Sequence, residues 1–217
     1  MVLARHAGEV YLWRSGIRHP TPHSQTAVRN DLMTYDKQAL VDLLEKEALQ
    51  RGEFTLASGK KASYYLDCRN VTLHPQGTGL IAAGMLAAIQ QTAPLPAAVG
   101  GMAIGADPIT AAIVTVAGQQ ELPLKGFMVR KEPKGHGTGR QVEGPVEPGQ
   151  EVVIVEDVIT SGGSALKAVD AAEAFGLKVR EVIGIIDRLA GGEAAFAQRG
   201  LKLKTLTTIR DFGIEPE

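Results

Sequence analysis

Residues 151–164, EVVIVEDVITSGGS, constrain the fold more than any other stretch of the chain. The run Val152-Val153-Ile154-Val155 is apolar and rich in β-branched side chains. Such a run reads as a strand buried on both faces, as in a parallel sheet. It ends in two acids, Glu156 and Asp157, and Val158 and Ile159 then lead into a small polar turn, Thr160-Ser161-Gly162-Gly163-Ser164. Leu166, Val169, Ala172 and Phe175 follow at spacings of three, the pattern of a helix. A strand whose carboxyl end carries acids, followed by a Gly/Ser/Thr turn into a helix, suits a sugar phosphate. The glycines let backbone N–H groups approach phosphate oxygens, the hydroxyls add donors, and the helix N-terminus favours an anion. The acids would repel the phosphate, so they suit ribose hydroxyls, a cationic centre or a metal. An ordinary surface strand-turn-helix with routine caps gives the same pattern.

The chain has 217 residues, which bounds the fold to one domain with a small appendage, and 44% of them are hydrophobic, enough for a sizeable core. A net charge of −1 gives no field favouring nucleic acid or membrane. The single Cys68 excludes an internal disulfide and any multi-cysteine metal site. No apolar run approaches the ~20 residues of a membrane span, and Gly59-Lys60-Lys61 lacks the earlier glycine of a P-loop. Residues 1–32 differ from the rest. They hold three of the five histidines, the only Trp, four Arg and two acids, and Pro20 and Pro22 interrupt any element. They read as a non-domain extension: a disordered tail, a transit peptide, or sequence upstream of a true start at Met33.

A helix is expected from Asp36 to about Arg51, capped by Thr34 or Asp36 and ended by Gly52, with Leu40, Val41, Leu44 and Ala48 on its apolar face. Residues 53–61 then lead to a strand over 63–67, a pattern that spacing alone reads as a hairpin with a Ser-Gly turn. Residues 75–91 read as a helix and 97–100 as a strand. Residues 100–108 form a glycine-rich turn, either a plain connection or a backbone nest for diphosphate, with Pro108 at the first position of the next helix. A strand over 124–129 opens into Arg130-Lys131-Glu132-Pro133-Lys134-Gly135-His136-Gly137-Thr138-Gly139-Arg140. Its cations and breakers describe a solvated loop, mobile when empty. A further strand over 178–186 ends in Asp187-Arg188, where the arginine can fork onto a carboxylate or make a surface ion pair. A helix near 193–199 and a strand near 203–208 close the chain. Strands and helices alternate from about residue 64, which predicts an α/β fold: a mostly parallel sheet with helices on both faces.

Residues 152–164 resemble throughout the 5-phosphoribosyl-1-diphosphate (PRPP) loop of the type I phosphoribosyltransferases: a hydrophobic strand, two acids, two apolar residues, Thr, then small residues. Three other stretches resemble the orotate phosphoribosyltransferases within that family. Phe54-Thr55-Leu56-Ala57-Ser58-Gly59 with the following aromatic strand is similar to their amino-terminal hood, and Tyr65 and Leu66 fall where the family packs residues on the pyrimidine. Arg130, Lys131, Lys134 and His136 match the catalytic loop R-K-x-x-K-x-H-G, and Asp187-Arg188 matches the pair whose arginine receives orotate. Residues 100–108 match the diphosphate loop. Ala57 and Ile104 stand where many members carry a lysine, so other groups must supply that charge.

The resemblance implies a type I phosphoribosyltransferase domain over 33–217 with a small hood formed mainly by 33–68. It implies transfer of the 5-phosphoribosyl group from PRPP to orotate, giving orotidine 5′-phosphate and diphosphate in pyrimidine (UMP) biosynthesis. The catalytic residues would be Lys134 and Asp157. PRPP would be held by Arg130, Lys131, Lys134, His136, Glu156, Asp157, Val158, Ile159, Thr160, Ser161, Gly162, Gly163 and Ser164, and orotate by Tyr65, Thr160 and Arg188. Mg²⁺ would arrive on PRPP, with no protein metal site. The resemblance further implies a cytoplasmic homodimer whose loop 130–140 crosses into the partner's site, without nucleic-acid or membrane partners. A phosphoribosyltransferase for a purine base would share the PRPP loop without needing the catalytic loop and Arg188. A non-enzymatic nucleic-acid-binding regulator on the same fold should show a basic face, which a balanced charge does not favour.

Overall fold

The computed structural model of the chain describes residues 34–55, 61–132 and 140–216. The expectations for residues 1–32, Met33, Ala57, Lys134 and His136 lie outside them. Helix α1 (Lys37–Glu47) opens on Asp36, whose side chain accepts a 3.1 Å hydrogen bond from the Ala39 amide. It buries Leu40, Val41 and Leu44 as the periodicity requires. The helix does not run to Arg51. From Leu49 the chain extends into β1 (Leu49–Thr55), paired antiparallel with β2 (Lys61–Leu66). Leu49 lies opposite Leu66, and the Ala48 carbonyl accepts from the Asp67 amide at 3.0 Å. Pairing with a partner strand overrides the local helical preference there. A short helix that sequence reading missed, α2 (Arg69–Thr72), leads to α3 (Pro75–Gln90), which has Pro75 in its first turn.

The remaining elements alternate: β3 (Ala98–Met102), α4 (Ala106–Gln119), β4 (Lys125–Val129), β5 (Val142–Glu143), β6 (Glu151–Ile159), α5 (Gly163–Phe175), β7 (Lys178–Asp187), α6 (Gly192–Gln198) and β8 (Lys202–Thr208). Among the described residues, six strands form one sheet in the order β5-β4-β3-β6-β7-β8, parallel except for the β4–β5 pair. The period-2 alternation of β6 divides its side chains between two cores. Val153 and Val155 pack with Leu40, Ile81 and Ile113 of α1, α3 and α4. Val152 and Ile154 pack with Ala168 of α5 and Phe196 of α6. All four are buried, each stabilising the fold by roughly 1.5–3 kcal/mol. Helices therefore cover both faces, as the unbroken apolar run predicts.

Three local expectations are corrected. β6 does not stop at its acids but continues to Ile159, because β7 pairs beside it as far as Asp187. Gly100 and Gly101 belong to β3 rather than to a turn. A Cβ on Gly100 would stand 2.2 Å from the Phe127 carbonyl oxygen, and one on Gly101 2.1 Å from that of Val155. These glycines answer strand packing. The helix after them begins at Ala106, so Pro108 is its third residue, still within the first turn where a missing N–H costs nothing.

Candidate active site

The strand order places the site. β3 connects outward to β4, whereas β6, on the other side of β3, leads outward to β7. The crevice at the carboxyl ends of β3 and β6 is thus a topological switch point, the usual ligand position in an open α/β sheet. A cleft of about 400 Å³ opens there. Ile104 and Gly105 line it from the segment after β3, and Asp157 and Val158 from the end of β6. Tyr65 of β2 and Lys131 of the loop after β4 complete a ring of predicted residues. A larger groove of about 480 Å³ runs between α3 and α4; among the described residues no titratable side chain lines it, whereas predicted site residues line the smaller cleft.

The adjacent acids have different surroundings. Asp157 lines the cleft, and its carboxylate lies beside Gly105, at the N-terminal end of α4. One of its oxygens accepts the Val158 amide at 2.8 Å. Glu156 is only 4% exposed, and its Oε2 has no hydrogen-bond partner among the described residues. Burial, and then the hydrogen bond and charge of Asp157, push the Glu156 carboxyl up to about 8, against a weaker downward pull from Ser164.

The Thr160–Ser164 turn is built to be open. Thr160, Ser161, Gly163 and Ser164 are exposed, and only Gly162 is buried. Gly162 takes φ 79°, a conformation that favours glycine, and a Cβ there would stand 2.9 Å from the Phe196 ring. Gly192 donates to the Thr160 carbonyl at 3.1 Å, and Arg188 donates through its amide to the Ile159 carbonyl at 2.8 Å. No side chain caps the start of α5, so its first amides are not taken by a side-chain cap.

Arg188 follows β7 and reaches back to the hairpin. Its Nε donates to the Tyr64 hydroxyl at 2.7 Å, and its guanidinium carbon lies 4.6 Å from the Tyr64 ring centroid. Tyr64 is 4% exposed; Tyr65, one residue on and facing the opposite way, is 41% exposed and lines the cleft. Arg188 is thus anchored beside the cleft rather than lining it. Arg130 is not among the residues lining the cleft either: it donates to Glu143 at 3.1 Å. That pair sits on the β4–β5 ribbon, where Met128 opposes Glu143 and Val129 opposes Val142. The ribbon holds the base of the loop, which sequence reading had left without a partner strand.

Sequence reasoning missed Asp67 and Arg69, both of which line the cleft, and Tyr64. Tyr64 alone had a usable signal, since alternation along 61–66 turns it inward. The Arg69 guanidinium binds Asp67 through two bonds, Nε to Oδ1 at 2.8 Å and Nη2 to Oδ2 at 2.7 Å. Those bonds hold the Asp67 carboxyl below its ordinary range.

No family model matches the chain. The orotate phosphoribosyltransferase of Rhodopirellula baltica is 70% identical over 191 residues, 86% of this chain and 99% of that protein. The crystal structure of Mycobacterium tuberculosis orotate phosphoribosyltransferase in complex with Fe(III) dicitrate is similar at TM-score 0.74 and 36% identity, covering 82% of this chain and 99% of that one. The same enzyme in complex with PRPP is similar at TM-score 0.70 and 33% identity, with 82% and 99% covered.

Proposed function

The chain belongs to the orotate phosphoribosyltransferase family, and on that premise we propose how its own residues carry the family's reaction. It transfers the 5-phosphoribosyl group of PRPP to orotate, yielding orotidine 5′-phosphate and diphosphate, a step of pyrimidine biosynthesis. The observation that carries the residue assignment is the cleft at the β3/β6 switch point, with Asp157 and Lys131 on it and the open Thr160–Ser164 turn at the end of β6.

The reaction breaks a C1–O bond through an oxocarbenium-like ribosyl centre, so positioning and charge placement dominate. Thr160, Ser161, Gly163 and Ser164 take the 5′-phosphate with backbone amides and hydroxyls. The Asp157 carboxylate faces the ribose and favours the cationic ring. Glu156, whose carboxyl is held above its ordinary range by burial and by Asp157, helps to order the ribose hydroxyls. Arg188, held through Nε by Tyr64, keeps its other donors for the orotate carboxylate. Tyr65 lies against the pyrimidine. Orotate's ring nitrogen attacks as an anion, so the protein needs no strong base.

Mg²⁺ would be carried by PRPP rather than by a protein site, and when bound it would help to neutralise the diphosphate. Among the described residues there is no cluster of three His, Cys, Asp or Glu side chains that could hold a metal. Lys131, with Lys134 and His136 of the same loop, faces the diphosphate, and closure excludes water that would hydrolyse PRPP. In a homodimer this loop, 130–140, serves the partner's site. The catalytic domain is assigned to 33–217, with a hood mainly from 33–68. No described helix is long and apolar enough to cross a membrane. The test is PRPP-dependent loss of orotate absorbance with adenine, hypoxanthine and uracil as controls. Turnover of orotate alone is expected; turnover of a purine in its place overturns the assignment.

A further inference from the structure

The charge inventory of the cleft is uneven. PRPP brings a 5′-phosphate and a diphosphate, and the departing diphosphate needs cations close by. Among the described residues that line the cleft, the cations are Lys131 and Arg69, set against the carboxylates of Asp67 and Asp157. Ile104, on the diphosphate side beside Gly105, is 76% exposed and brings no charge. Arg69 is therefore half of the described positive charge on this wall. Its guanidinium is held by Asp67 in a two-point clamp.

That clamp does little for the fold. Asp67 and Arg69 are two residues apart, so their bond joins no distant elements. The Arg69 side chain is 63% exposed, and exposed pairs of this kind contribute ~0–1 kcal/mol. A planar guanidinium matches two phosphate oxygens as well as it matches a carboxylate, and a diphosphate offers more charge than one Asp. The arginine also starts the four-residue α2, at the mouth of the cleft, with its amide held 3.1 Å from Asp67 Oδ1. Its backbone is tethered while its head group can exchange partners.

The geometry points to Arg69 as a binding residue for the diphosphate of PRPP, held on Asp67 until substrate arrives and transferred to the diphosphate oxygens on binding. Asp67 is the competitor that balances the charge of Arg69 on the cleft wall. No covalent step is involved; one charge-assisted hydrogen-bond pair replaces another. This assignment deepens the transfer reaction described above and rests on it.

The test titrates inorganic diphosphate with Mg²⁺ into the full chain by calorimetry and measures KM for PRPP and for orotate separately. Arg69→Gln should raise the diphosphate Kd and the PRPP KM at least tenfold while leaving the orotate KM within twofold. Arg69→Lys, which keeps charge but not the fork, should recover part of the loss. Asp67→Asn removes the competitor, so its diphosphate Kd should equal or fall below that of the unaltered chain. Melting temperatures identify a merely structural clamp, in which Arg69→Gln and Asp67→Asn both melt lower with diphosphate Kd unchanged. That pattern overturns the assignment, as does an orotate KM that rises as much as the PRPP KM. If the unaltered chain fails to consume orotate, the reaction is misassigned, yet the diphosphate titration still judges Arg69. If Arg69→Gln fails to fold, the comparison of Arg69→Lys with Asp67→Asn decides.

Discussion

Arg188 and Tyr64 stand 124 positions apart in sequence and share a 2.7 Å hydrogen bond from Nε to the phenol oxygen. The bond ties the end of β7 to the hairpin through Nε alone. Replacing Arg188 by Lys keeps the charge and loses the planar fork. Orotate binding should weaken by about 1–3 kcal/mol, typical of a charged hydrogen bond, with PRPP binding little changed. Tyr64→Phe should give a smaller rise in orotate KM. Substrate KM values measured separately check both, and an equal loss for the two substrates with Arg188→Lys would mean that Arg188 only supports the fold.

Asp157→Asn keeps shape and removes charge. With the carboxylate on the cleft wall beside Gly105, loss of its charge should lower turnover by about 10²-fold or more, the scale of a lost transition-state electrostatic contact. The PRPP KM should change less. Steady-state kinetics decide, and wild-type turnover would remove Asp157 from the catalytic role.

Glu156 should make stability depend on pH. Its folded carboxyl titrates near 8 and its unfolded one near 4.5, so between those values the folded chain holds a proton that the unfolded chain has released. The unfolded state then binds fewer protons, and stability falls as pH rises. This contribution is complete below about 4.5 and lost once pH passes about 8. Glu156→Gln has no proton to lose, so its melting temperature relative to the unaltered chain should climb from pH 5 to pH 8.5, by an amount on the order of 2–4 kcal/mol in stability. A constant offset across that range would falsify the account.

The loop that begins at Arg130 is predicted to act across a two-fold axis. Lys134→Ala and Asp157→Asn should each be nearly inactive alone. In a mixed dimer, one site combines an intact Asp157 with the partner's intact loop, and the other carries both defects. Random exchange at equal amounts makes about half the dimers mixed, so activity should recover to roughly a quarter of wild type. Refolding the two variants together, or coexpressing them, ensures exchange. Verified mixed dimers as inactive as their parents would confine the loop to its own subunit.

Much of the frame was legible without coordinates because it is written in short range. Four consecutive β-branched or apolar residues, 152–155, can satisfy a strand only if both faces are covered, and the alternation of elements after residue 64 leaves a parallel sheet as the economical solution. The turn 160–164 and its helix were readable for the same reason: glycine and hydroxyl chemistry acts over adjacent residues. Errors arose wherever a distant partner decided the outcome. Residues 49–51 carry a helical pattern, but pairing with 64–66 draws them into β1. Gly100 and Gly101 look like a turn, but the carbonyls of Phe127 and Val155 leave no room for a side chain in β3.

The site divides along the same line. The acids 156–157 and the 160–164 turn could be read from contiguous chemistry, whereas Lys131 was named only by its resemblance to the family's catalytic loop. That β3 and β6 are neighbours, and so form the crevice, depends on strand order, which no local pattern encodes. The same holds for the bond between Tyr64 and Arg188 and for the entry of Asp67 and Arg69 into the cleft, since each arises when segments far apart in sequence are brought together. Glu156 and Asp157 are adjacent acids in the sequence. Only the pleat of β6 and the packing above it bury one, raising its carboxyl above the ordinary range, and leave the other on the cleft wall, because charge in a protein is set by the surroundings that folding supplies.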